Sequence, residues 1–113
     1  MKLYHWTTEG RAKKILRDGL RRGSNVTVNP ECAYAQYFSD WSKGLPEELR
    51  LLVIDTPLKC VKDDPWGECV HDITGEVQDK EVTCRVEPRH VKMLPEKSKQ
   101  IYVELAQDYM EEP

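Results

Sequence analysis

Apolar residues spaced three and four apart alternate along this chain with short runs that suit strands, and the order of the two patterns predicts an architecture. Leu3-Tyr4-His5-Trp6 has the content of a short aromatic strand. Thr7 or Thr8 can cap a following helix, because a hydroxyl accepts from the free amides of a first turn. Ala12, Ile15 and Leu16 then share one face while Arg11, Lys13, Lys14, Arg17 and Asp18 occupy the other, the pattern of an amphipathic helix. Gly19 suits the left-handed position past its end, with Leu20 folding back on the last turn.

Asn25 to Val28 alternates like a strand until Asn29-Pro30, a cap followed by proline at the first helical position. A second helix is expected over Glu31 to Lys43, with Ala33, Tyr34, Tyr37, Phe38 and Trp41 as its apolar members. Gly44 and Pro46 break it. Leu49 to Thr56 contains the most hydrophobic run, Leu51-Leu52-Val53-Ile54, which predicts a central strand covered on both faces. Leu58 to Val61 can extend the sheet, and Asp63 to Gly67 has turn chemistry. Cys69 to Ile73, Glu81 to Val86 and His90 to Leu94 read as short strands. Pro95 to Met110 reads as a third amphipathic helix, with Ile101, Leu105 and Tyr109 at spacings of four and Tyr102 and Ala106 beside them. This order predicts an α+β fold, a twisted mixed or antiparallel sheet with about three helices, in one domain spanning residues 1–113. The last helix covers about 96–110, and a chain of this length supports one core.

Charge sharpens the picture. The net charge is −3, but Lys2, Arg11, Lys13, Lys14, Arg17, Arg21 and Arg22 face only Glu9 and Asp18 within the first 23 residues. The N-terminal end is therefore basic and the remainder acidic. A solvated helix face accounts for such a cluster, and it would also attract phosphates of a nucleotide or nucleic acid. No apolar run approaches the roughly 18 residues of a membrane span, and Met1-Lys2-Leu3 leads into a mixed strand, so a cytoplasmic location without membrane contact is expected. Cys32, Cys60, Cys69 and Cys84 lie far apart, which favours free, mostly buried thiols. A zinc site from Cys60, Cys69, His71 and Cys84 lacks the close ligand pairs such sites use, and no metal is expected.

Taken one at a time, the candidate chemical residues are weak. His5 in an apolar strand suits a structural role as readily as a functional one, Tyr34 and Tyr37 are first of all core aromatics, and Glu81 opens a strand. No glycine-rich phosphate loop or nucleophile elbow is present.

Together they form a pattern. Leu3-Tyr4-His5-Trp6-Thr7-Thr8, the helix ending Ile15-Leu16-Arg17-Asp18-Gly19-Leu20, and the stretch from Glu81-Val82 through Pro88 to Val91 resemble the small ADP-ribosyltransferase-like proteins of the His-Tyr-Glu type, including DarT-type DNA-modifying toxins and the RNA 2′-phosphotransferases that share their fold. The resemblance implies an NAD-dependent transferase that moves ADP-ribose to a macromolecular acceptor, protein or nucleic acid, as a toxin or phage-type modifier would. It implies Glu81 as the catalytic carboxylate. His5, Trp6 and Thr7 would hold the nicotinamide ribose end, and Tyr37, or else Tyr34, would stack on the ring. By charge and proximity, Arg11, Arg21 or Arg22 would meet the pyrophosphate. The alternatives are a catalytically silent binding module and an enzyme of the NAD glycohydrolase or RNA phosphotransferase kind. Trp6 stands where many relatives carry glycine. An acceptor-reading loop would fall within Glu68 to Lys80.

Overall fold

The computed structural model describes residues 1–38 and 48–110. Among them, six strands form one antiparallel sheet in the order β4-β5-β2-β1-β3-β6: β1 (Lys2–Thr8), β2 (Asn25–Thr27), β3 (Leu49–Asp55), β4 (Val61–Asp63), β5 (Asp79–Val82) and β6 (Val91–Met93). Three α-helices accompany them, α1 (Glu9–Asp18), α2 (Pro30–Tyr37) and α3 (Glu96–Met110). The α+β class expected from the residue pattern is the one observed.

The predicted central strand is β3, which pairs with β1 from Lys2↔Asp55 to Thr8↔Leu49 and with β6 on its other edge. Its four-residue apolar run divides between two cores, because successive strand residues point to opposite faces. Leu52 and Ile54 join Leu3, Val26, Val82 and Val91 beneath α1, which contributes Ala12. Leu51 joins Trp6, and there α2 and α3 supply Ala33, Tyr34, Val103 and Ala106. Both faces of this strand exclude water, which is why its sequence carries no polar alternation.

Local sequence sets the helix starts. Thr8 accepts from the Arg11 amide and Asn29 from the Cys32 amide at 3.1 Å, satisfying donors that no earlier turn can reach. The described part of α2 ends at Tyr37, and residues 39–43 of the longer helix expected there lie outside the described residues.

Several expectations are corrected. The four cysteines are not free: Cys32 pairs with Cys69 and Cys60 with Cys84, across Cα separations of 6.1 and 5.2 Å. Their wide spacing concealed partners that only the fold brings together, since Cys60 and Cys84 flank the paired strands β4 and β5. The pairing also divides the four residues proposed for zinc. On α3, Ile101, Leu105 and Tyr109 face outward at 55%, 43% and 42% exposure, while Lys99, Val103 and Ala106 are buried. Small side chains win that contact because they let α3 approach α2 closely, and Lys99 reaches the Leu49 carbonyl with its ammonium group. Cys69 to Ile73 is not a strand. Only Val70 bridges, to Val77, and two backbone amides donate to the His71 ring to close a turn. The strand expected from Glu81 to Val86 is β5, shifted toward the N-terminus. After Val82 the chain bends, and Val86 instead bridges Leu20. Leu58–Cys60 is a 3-10 turn rather than a sheet extension.

Candidate functional site

The site lies where the sheet is least closed. β1 and β2 share the single register pair Tyr4↔Thr27, whereas β1 and β3 are paired over seven residues. Past that pair, two adjoining cavities open along the gap, and His5, Trp6, Asn25 and Phe38 line both.

The larger cavity, about 1010 Å³, is walled by α1 and the segment that follows it. Gly19 makes this possible. Its φ of 91° and ψ of 172° lie in a region that only glycine occupies without strain, and a Cβ there would run into the Val86 carbonyl. That carbonyl accepts from the Leu20 amide at 2.9 Å, so the chain leaves the helix by pairing at once with the segment after β5. Gly19 thus takes a positive φ, as expected, but in an extended form. The turn carries Arg21 to the cavity wall, where Arg11, Lys14 and Arg85 also lie. Two acidic residues, Asp18 and Glu48, share the wall, and Arg17 engages the Asp18 carboxylate at 2.9 Å. Among the described residues, the balance of the lining is cationic.

His5 stands between the cavities. Its Nδ1 lies 2.7 Å from the Asn25 carbonyl oxygen, an acceptor only, so Nδ1 carries the proton and donates. Burial lowers the imidazole pKa below its ordinary 6.5; the Asn25 bond raises it and nearby Arg11 lowers it further. The ring is therefore neutral near pH 7, with Nε2 left as a hydrogen-bond acceptor.

The smaller cavity, about 470 Å³, has a different character. Its walls include Tyr4, Trp6, Tyr37, Phe38 and Trp66, and among the described residues its charged lining is Asp64 and Asp79, with no lysine or arginine. Asp79 Oδ2 accepts from the Tyr37 hydroxyl at 2.6 Å and from the Cys69 amide at 3.2 Å. Burial first, and then the bond to Asp79, push the Tyr37 phenol up to about 12, so it remains a donor.

The predicted residues separate by position. His5, Trp6, Thr7, Arg11 and Arg21 come together on the larger cavity, and Tyr37 lines the smaller. Tyr34 does not face either. It is 3% exposed and packs on Trp6 with ring centroids 5.2 Å apart. Trp6 is anchored by its indole N–H, which donates to the Pro30 carbonyl at 2.8 Å and leaves a ring edge to the cavities. Arg22 is exposed and lines neither cavity. Glu81 sits opposite Asn25 in the β2–β5 ladder, and its carboxylate is 3.1 Å from the Lys62 ammonium, with its side chain 31% exposed. His5 and Glu81 are thus both neighbours of Asn25, one through its carbonyl and one across the ladder, although Glu81 is not among the lining residues of either cavity.

Sequence reasoning passed over Asn25, Phe38, Trp66 and Arg85. Arg85 lies inside the stretch that carries the resemblance, and Phe38 one position beyond Tyr37 in the apolar pattern. Nothing local marks Asn25 or Trp66, whose roles depend on where β2 and the turn before β5 arrive. The described residues contain no cluster of three or more residues suited to hold a metal ion, and no helix among them is long and apolar enough to cross a membrane. No protein-family model, curated protein or solved structure matches this chain.

Proposed function

We propose that the chain binds NAD along the gap between β1 and β2 and transfers its ADP-ribose to a macromolecular acceptor. The observation that carries this reading is the opposite charge of two joined cavities on either side of a neutral histidine. NAD has the same polarity: an anionic pyrophosphate on one side of the nicotinamide ribose and a cationic pyridinium ring on the other. Arg11, Lys14, Arg21 and Arg85 supply the phosphate end. Aromatic walls with two carboxylates, and no competing cation among the described lining residues, suit the ring. His5 Nε2 would accept from a ribose hydroxyl.

In the reaction, the bond from ribose C1′ to the pyridinium nitrogen breaks and its electron pair stays on nitrogen, so nicotinamide leaves neutral. Positive charge develops at the ribose, and the acceptor's nucleophile forms the new bond at C1′ as its proton is lost. Glu81, directly opposite Asn25 in the ladder, is the carboxylate proposed to face that charge once it is released from Lys62. The same ion pair, together with the position of Glu81 outside the lining of both cavities, favours the silent binding module instead.

Labelled NAD, incubated with cell extract and the wild-type, His5→Ala and Glu81→Gln proteins, tests the proposal. The expected result is label on a macromolecule with wild type, loss of transfer with Glu81→Gln, and weakened NAD binding with His5→Ala. Nicotinamide release without labelling would make the protein a hydrolase. Binding without turnover would make it a silent module, and no binding would remove NAD from the account. The cytoplasmic location expected from the sequence belongs with the proposal as well. The two disulfides pull against it, because a glutathione-buffered cytosol keeps thiols reduced.

A further inference from the structure

Asp79 is 3% exposed and stands in the wall of the smaller cavity. Its two carboxylate oxygens are treated unequally. Oδ2 takes both available donors, the Tyr37 hydroxyl and the Cys69 amide. Oδ1 is buried with no hydrogen-bond partner, the orphan among the buried side-chain polar atoms of the described residues. An orphaned carboxylate oxygen is costly, and proteins seldom leave one without a use.

The carboxylate is also held in place. Cys69 is tied to α2 by its disulfide to Cys32. Gly67 lies so close that a side chain there would meet the Asp79 Cβ at 2.7 Å. Asp79 therefore cannot turn to share its donors without displacing packed backbone, and the cavity lining offers, among the described residues, no lysine or arginine to serve Oδ1. A group that serves Oδ1 must bring one N–H or O–H donor and be flat enough for a pocket lined by Tyr4, Phe38 and Trp66.

We infer that Asp79 is the specificity-determining residue of this cavity, and that its Oδ1 accepts a hydrogen from the carboxamide amino group of nicotinamide. The inference rests on the NAD reading above and adds to it a discrimination. A ring bearing a carboxylate in place of the carboxamide has no hydrogen to give and brings a second negative charge against Asp79. Such a ligand is rejected by repulsion as well as by the lost bond.

The test is a set of binding titrations on the full chain, followed by tryptophan fluorescence, with NAD, nicotinic acid adenine dinucleotide and ADP-ribose. Wild type should prefer NAD over the nicotinic acid form by about tenfold or more, the worth of one charge-assisted hydrogen bond. Asp79→Asn should remove or invert that preference, because the asparagine oxygen can keep the Tyr37 and Cys69 donors while its amino group donates to the ligand carboxylate. ADP-ribose, which lacks the ring, should bind both proteins equally and so verifies that the variant is folded. An unchanged preference in Asp79→Asn, with ADP-ribose binding intact, overturns the role of Asp79 and leaves the NAD reading standing. Failure of wild type to bind either NAD or ADP-ribose overturns both. If Asp79→Asn fails to bind ADP-ribose, wild type is titrated instead with the acetylpyridine analogue of NAD, whose ring carries a methyl group in place of the carboxamide amino group at unchanged charge. It should bind about tenfold more weakly than NAD, and equal binding refutes the assignment.

Discussion

Replacing Cys60 and Cys84 together with alanine would remove a cross-link that closes a loop with a sequence separation of 24. In the chain-entropy treatment, a loop of that length restricts the unfolded ensemble by about 3.4 kcal/mol, and the Cys32–Cys69 loop, separation 37, by about 3.8 kcal/mol. Small domains have only about 5–15 kcal/mol in total, so either loss is a large fraction of stability. Cys60 is buried, but alanine there leaves a void of one sulfur atom, a lesser term than the loop. With a urea dependence of about 1–3 kcal/mol per molar, the unfolding midpoint should fall by about 1–3 M. The dependence itself should steepen, because the unfolded chain becomes more expanded. Urea titrations of wild type and the double variant, with and without reductant, measure both quantities. Reductant should destabilise wild type by at least as much as the double substitution. Alkylation of native, unreduced protein that finds four reactive thiols, or a midpoint indifferent to reductant, would refute this connectivity and the reasoning built on it.

Other consequences follow from the site and its supports. Because burial lowers the His5 pKa, the unfolded chain takes up a proton near the ordinary 6.5 before the folded one does, so His5 contributes a loss of stability as pH falls below that value, ending once the folded imidazole also protonates. Thermal midpoints of wild type and His5→Gln between pH 8 and 5 should diverge only in the acid range, and parallel curves would contradict it. Gly19→Ala should cost about 1–3 kcal/mol, through its positive φ and the collision with Val86, where Gly10→Ala, in open space on the same helix, should not destabilise. Asn29→Ala should cost about 1–2 kcal/mol, since Asn29 caps α2 and also donates to Gln78 at 3.1 Å and to the Tyr109 hydroxyl at 3.2 Å; a cost indistinguishable from zero in chemical denaturation would show that the cap is not used.

What local sequence determined is visible in these elements. The helix at Glu9–Asp18 was legible because its cap, its apolar spacing and its glycine stop agree with one another. The β3 run was legible because a strand covered on both sides has no polar face to display. His5, Arg11 and Arg21 were legible as candidates by chemical type and by their place around the first helix. Other features were settled by contacts that no window of sequence contains. α3 carries two adjoining apolar stripes, and the one bearing Val103 and Ala106 went inward because α2 presents alanines for close approach. The cysteines found their partners only when β4 met β5 and when α2 met the turn before β5. Asp79 and Glu81 are alike in sequence, two acids two residues apart, yet one is buried against Tyr37 and the other paired with Lys62 beside exposed sheet. Periodicity and capping are local, and the sequence states them directly. Pairing across the sheet, and the single-pair junction of β1 and β2 at which the cavities open, are long-range outcomes that exist only once the chain has closed on itself.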